Sequence, residues 1–180
     1  MIWSLLKRKK ANQALVANQY ELITEAARAP VFYENMDVPD TVMGRFEMIT
    51  IHLVLYLRRT GASSGVATDI AQEIVDAFFE DVDHSIRELG IGDMGVPKRM
   101  KKFARMFYGR LKSYGQALDD GDISALDEAL RRNIYPEPAV EPPALQALAA
   151  WTLDADQRLK DVSDDEIAAG QVSFPEPGQG

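Results

Sequence analysis

Apolar residues recur at steps of three and four along most of this chain, and no stretch alternates apolar and polar residues for long enough to make a strand. Val42, Phe46, Ile49, Leu53 and Tyr56 or Leu57 form one such stripe. Ile70, Ile74, Phe78, Val82, Ile86 and Leu89 form a second, and Val96, Met100, Phe103, Phe107, Leu111, Tyr114 and Leu118 a third. That spacing places the apolar residues on one face of a helix, and successive helices of this kind bury those faces against each other. The expected fold class is all-α: a single compact multi-helix domain.

The punctuation agrees. A first helix over about 12–28 should stop before Pro30, and the loop "PVFYENMDVPDT" leads to Asp40, read as the cap of the next helix. Gly61 is a natural stop, and Ser124-Ala-Leu-Asp127 is a weak capping signal for a helix through Leu130. Ser163-Asp-Asp-Glu166 is a capping box, after a helix around 145–160. "PEPAVEPP" at 136–143 reads as a stiff linker or cover, and the closing "FPEPGQG" as disordered. The division expected is 1–11, a basic and apolar start; 12–135, the helical domain; and 136–180, an acidic, Pro-interrupted extension.

At 180 residues and 46% hydrophobic, the chain can bury a sizeable core. It has no cysteine and two histidines, His52 and His84, so thiol catalysis and Cys-ligated metals are excluded. No apolar run approaches the roughly 20 residues of a membrane span. "MIWSLLKRKK" puts apolar residues before basic ones, the reverse of a signal peptide, and the expected location is the cytoplasm. Two readings of this segment stay open: contact of residues 1–10 with an anionic membrane surface, or packing of Trp3 on the domain.

"GIGDMG", residues 90–95, matches G-x-G-x-x-G, which needs a preceding strand to place a dinucleotide. A helical stripe precedes it, so the pattern reads as a helix stop, a bend and a new start at Pro97. No nucleophile triad, metal motif or phosphate loop can be traced, and neither cofactor nor catalysis is expected.

Charge is distributed unevenly. From Asp119 onward there are 14 acids and 4 bases, whereas the first 118 residues hold 14 acids and 16 bases. Lys98, Arg99, Lys101, Lys102, Arg105, Arg110 and Lys112 follow one another with no acid between Asp93 and Asp119. Cations in a first helical turn oppose the helix dipole, so something outside that helix should compensate them. Either the acidic face of the preceding helix (Asp69, Glu73, Asp76, Glu80, Asp83) folds back on them, or an anionic partner does. His52 lies in an apolar helix and reads as core or as a ligand; His84 reads as surface.

Three separated segments, "APVFYENMDVPDTVMGRFEMITIHLVLYL", "FFEDVDHSIRELGIGDMGVPKRMKKFARMFYGRLKSYGQAL" and "LRRNIY", occur in the order found in the ubiquinol–cytochrome c chaperones, and over about 11–135 the chain resembles that family. The resemblance implies an all-helical assembly factor for the cytochrome bc complex. In the family's mitochondrial members a small partner protein takes part, and the client is newly made cytochrome b, met at the ribosome and during haem insertion. It also implies partner-binding roles for Tyr33, Asp40, Arg45, His52, Asp83 and Lys98. Charge adds Arg99, Lys101, Lys102, Arg105 and Arg110. The rival reading is a general RNA- or ribosome-binding helical domain with no respiratory client.

Overall fold

A computed structural model describes the backbone of residues 2–135 and 142–178, with side chains over 12–135 and 144–178. The expected membrane contact of residues 1–10 and the proline linker over 136–143 lie outside the described side chains, although the backbone of 142–143 already belongs to a helix. Among the described residues the chain forms eight helices and no strand: α1 (Ile2–Ala27), α2 (Pro30–Glu34), α3 (Val42–Thr60), α4 (Val66–Glu88), α5 (Val96–Asp120), α6 (Ile123–Ile134), α7 (Pro142–Leu159) and α8 (Asp164–Ala168).

The central element is α3, which packs against α1, α4, α5, α6 and α7. Every residue from Phe46 to Tyr56 is buried, so this helix is enclosed on all sides rather than along one stripe. Four polar residues go inside with it: Glu47, Thr50, His52 and Thr60. The α4 and α5 stripes fill the space around it. Phe46 stacks near Phe78, with ring centroids 5.8 Å apart, and meets Phe103 edge-on at 4.9 Å. Leu89 leaves its stripe because α4 ends at Glu88, and its side chain is exposed.

Several local expectations need correction. Thr41, not Asp40, caps α3, its Oγ1 accepting from the Gly44 amide at 3.0 Å. Asp122 rather than Ser124 caps α6, accepting from the Ala125 amide at 2.9 Å. A Cβ on Gly44 would lie 1.8 Å from the Pro39 carbonyl oxygen, so only glycine admits this turn against the helix. The capping box at Ser163 is present as read.

The core does not stop at Tyr135. Leu145, Leu148, Ala149, Trp151, Ala155 and Leu159 of α7 belong to it, as do Ile167 and Val172. The "FPEPGQG" segment, expected to be disordered, is tied down over its described residues. Gln19, fully buried on α1, pairs with Val172 through both amide groups: its Nε2 donates to the Val172 carbonyl at 2.9 Å, and its Oε1 accepts from the Val172 amide at 2.8 Å. The Trp151 indole donates to the Pro175 carbonyl, and Phe174 lies edge-on to His52 at 4.7 Å. An extended segment stays ordered when neighbouring side chains satisfy its backbone, and here they do.

Candidate functional site

The positions singled out in the sequence divide into three groups. His52 is fully buried, its Nδ1 2.8 Å from the Met48 carbonyl and its ring among Phe32, Trp151 and Phe174. Burial lowers its pKa to about 4, the Met48 carbonyl offsetting part of the shift, so the imidazole is neutral at pH 7. It touches no solvent and belongs to the core, as one of its two readings held. Arg110 is likewise turned inward, onto the buried carboxylate of Glu47. His52 offers no surface to a partner, and the Arg110 side chain is only 13% exposed.

The second group surrounds the α2–α3 corner. Tyr33 is half-buried and its hydroxyl donates to the Ala27 carbonyl at 2.9 Å, which ties α2 back to the end of α1. Burial raises its pKa. Phe32, Met36 and Val38 are buried, so the apolar content of this loop closes one end of the core. Asp40 and Arg45 remain outside, paired at 2.8 Å with both side chains more than half exposed.

The third group is the basic run on α5. Lys98, Arg99, Lys101, Lys102 and Arg105 are exposed, and among the described residues no acid pairs with any of them. The acidic face of α4 does not fold back on them. Asp83 is held by Arg87 on its own helix, at 2.7 Å, and Arg87 also takes Asp93 at 2.7 Å. His84 is exposed beside Glu88. These five cations of α5 are therefore left for solvent or for a partner.

Next to them lies a cleft of about 310 Å³. Its walls are Phe46 and Ile49 of α3, Phe78, Val82 and Ile86 of α4, and Phe103 of α5, while Arg28, Arg45, Asp81 and Glu88 stand at its margin with Val42 and Leu89. Asp81 also accepts from the Tyr20 hydroxyl at 2.9 Å. Apolar walls with polar groups of both signs around them suit an apolar segment of polypeptide more than a small polar ligand. Among the described residues no cluster of three His, Asp or Glu side chains suits a metal ion. No helix among them is long and apolar enough to cross a membrane.

Reading by stripes placed Val42 and Leu89 on buried apolar faces, where the structure leaves both exposed, and did not mark Met43 or Met94 as exposed apolar surface. The signal available was end position. Leu89 follows the last residue of α4, Val42 opens α3 and Met94 precedes α5, and at these three ends the side chain lies outside the packed interface.

Residues 34–174 match the family model described as ubiquinol–cytochrome C chaperone. The chain belongs to this family. The match runs well past Tyr135, in keeping with the place of α7 and Val172 in the core, and the family is one of assembly chaperones rather than enzymes. Among solved structures the chain is similar to the Cbp3 homolog from Brucella abortus, at 50% identity and a TM-score of 0.89, over 99% of each chain. It is 24% identical to ubiquinol-cytochrome-c reductase complex assembly factor 1 of Xenopus laevis, over 78% of this chain and 70% of the relative. It is 25% identical to the mitochondrial protein CBP3 of Saccharomyces cerevisiae, over 89% of this chain and 49% of that protein. The chain thus spans about half the length of the yeast relative.

Proposed function

We propose that this chain is a non-enzymatic assembly chaperone for the ubiquinol–cytochrome c reductase complex and that its client is newly made cytochrome b. The observation that supports this reading is the cleft between α3, α4 and α5. Part-buried Phe103 lines it over the buried Phe46, Ile49 and Phe78, and Val42 and Leu89 form an exposed rim that an apolar segment without its own partners could cover. A membrane subunit awaiting cofactors and neighbouring helices exposes such segments. Shielding them reversibly requires a shallow apolar groove and no chemistry. Asp40, Arg45, Asp81 and Glu88 at the margin supply rim polarity that sets orientation more than affinity. Contact with a ribosome or with a small partner protein would leave this role intact.

The rival, an RNA- or ribosome-binding domain without a respiratory client, draws on the cations of α5 and leaves the cleft without a use. Capture from cells making cytochrome b separates the two. Tagged full-length chain should co-purify with newly made cytochrome b, and Val42→Asp with Leu89→Asp should lower the yield severalfold at unchanged thermal stability, since both side chains are exposed. Equal capture by the variant would contradict the assignment of the cleft.

A further inference from the structure

Seven large apolar side chains stand exposed among the described residues, and four of them gather at one end of the bundle: Met94 at 98%, Leu89 at 61%, Val42 at 55% and Met43 at 41%. The topology brings them together. The last turn of α4 and the first of α5 are joined by the short connection 89–95, and α3 begins beside the end of α4, since Val42 and Arg45 share the cleft with Glu88 and Leu89. Lys98, Arg99, Lys101 and Lys102 occupy the first two turns of α5 at this same end, exposed and without a described acidic partner. The nearby acids are engaged: Asp83 and Asp93 with Arg87, and Glu88 with His84.

Two costs coincide here. Met94 is extended into water where no part of the fold uses it, and cations sit at a helix start whose dipole already disfavours them. RNA would answer the cations but gains nothing from Met94. The exposed aromatic of this helix, Tyr108, lies 14 residues beyond Met94, so no stacking platform accompanies the methionine. An anionic bilayer surface answers both, because apolar tips enter the boundary between headgroups and acyl chains while lysine and arginine lie at the level of the phosphates.

We propose that this end of the bundle docks on anionic lipid, with Met94 entering the interface and Lys98, Arg99, Lys101 and Lys102 meeting lipid phosphates. The docked orientation sets Val42 and Leu89, the cleft's rim, beside the bilayer from which an apolar client segment would come. With a single apolar tip and a few cations the attachment is reversible and salt-sensitive.

The chain has no cysteine, so Met94→Cys carries one environment-sensitive dye at a defined point, and Ile123→Cys, beyond the far end of α5, carries the control. The full-length protein is mixed with vesicles of phosphatidylcholine alone or of phosphatidylcholine with one third phosphatidylglycerol. The protein should float with the anionic vesicles only. The dye at position 94 should shift to the blue, the dye at 123 should not, and salt at about 0.5 M should release the protein. In the unlabelled chain, Met94→Glu and the triple change Lys98→Glu, Arg99→Glu, Lys102→Glu should each weaken partitioning about tenfold or more at unchanged helical circular dichroism. Absence of flotation overturns the proposal, and so does flotation with an unshifted dye at 94, which would place contact on another face. Binding of an RNA oligomer in place of vesicles overturns it as well. The vesicles contain no protein, so failure here leaves the client reading standing, and failure of client capture leaves lipid docking to be read on its own.

Discussion

Arg110 of α5 grips Glu47 of α3 with two hydrogen bonds, Nε to Oε2 at 2.8 Å and Nη2 to Oε1 at 2.6 Å, and the carboxylate beneath it is 2% exposed. Burial raises the Glu47 pKa, and the guanidinium offsets that only in part. The pair therefore fixes the register of two helices more than it adds stability. Arg110→Met should cost about 3–5 kcal/mol by leaving a buried carboxylate uncompensated, whereas Glu47→Leu with Arg110→Met should recover most of the loss. Urea unfolding of the two single variants and the double variant measures this; additive losses would contradict it.

That residue also shows how far the sequence reaches. Helical spacing in the α3, α4 and α5 segments was enough for the all-α class and for most buried positions, because amphipathic period and burial share one cause. Within a run of seven cations, however, nothing local marks Arg110 as the one facing a buried acid 63 residues away in the chain. The same holds for Gln19, whose amide meets Val172 at a separation of 153 residues, and for Trp151, whose indole holds Pro175 in the tail expected to be disordered. Cleft residues such as Val42 and Leu89 were hidden for a different reason: Leu89 continues the α4 stripe past the end of that helix, and Val42 opens α3 ahead of its enclosed stretch from Phe46.

His52 gives the protein a pH dependence with a defined sign. Its pKa is about 4 in the folded chain against about 6.5 when unfolded, so below pH 6.5 the unfolded chain takes up a proton that the folded one does not. The contribution is fully present above pH 6.5, falls as pH drops toward 4, and is then exhausted at about 3 kcal/mol lost. His52→Leu should flatten this part of the profile. Melting curves between pH 7.5 and 4.5 would show it, and parallel losses in both proteins would contradict it.

Arg58 ties three helices together: Nε to Asp156 Oδ1 of α7 at 2.6 Å, and Nη1 to Asp119 Oδ1 and the Gly115 carbonyl of α5 at 2.9 and 3.0 Å. Burial raises the Asp156 carboxyl, but Arg58 and Lys160 outweigh it and hold the group below the usual range. Arg58→Met should destabilise by about 2–4 kcal/mol and make the protein more sensitive to salt. Arg58→Lys should recover only part, because the fork of donors is lost.

At the α2–α3 corner, two neighbouring variants should behave differently. Tyr33→Ala removes a half-buried ring and its bond to Ala27, and should cost about 1–3 kcal/mol. Arg45→Ala breaks an exposed pair with Asp40 and should change stability by less than about 0.5 kcal/mol. Any loss of complex assembly caused by Arg45→Ala would then be a loss of binding rather than of fold.

Assembly of the ubiquinol–cytochrome c reductase complex is the readout closest to the proposed function. Cells lacking the gene for this chain, complemented with the native sequence or with Val42→Asp and Leu89→Asp, can be compared by reduced-minus-oxidised spectra for cytochrome b and by the level of the assembled complex. The account predicts loss of both in the deletion, recovery with the native chain, and a marked deficit with the cleft variant at equal protein abundance. Normal cytochrome b and a fully assembled complex in the deletion strain would contradict it.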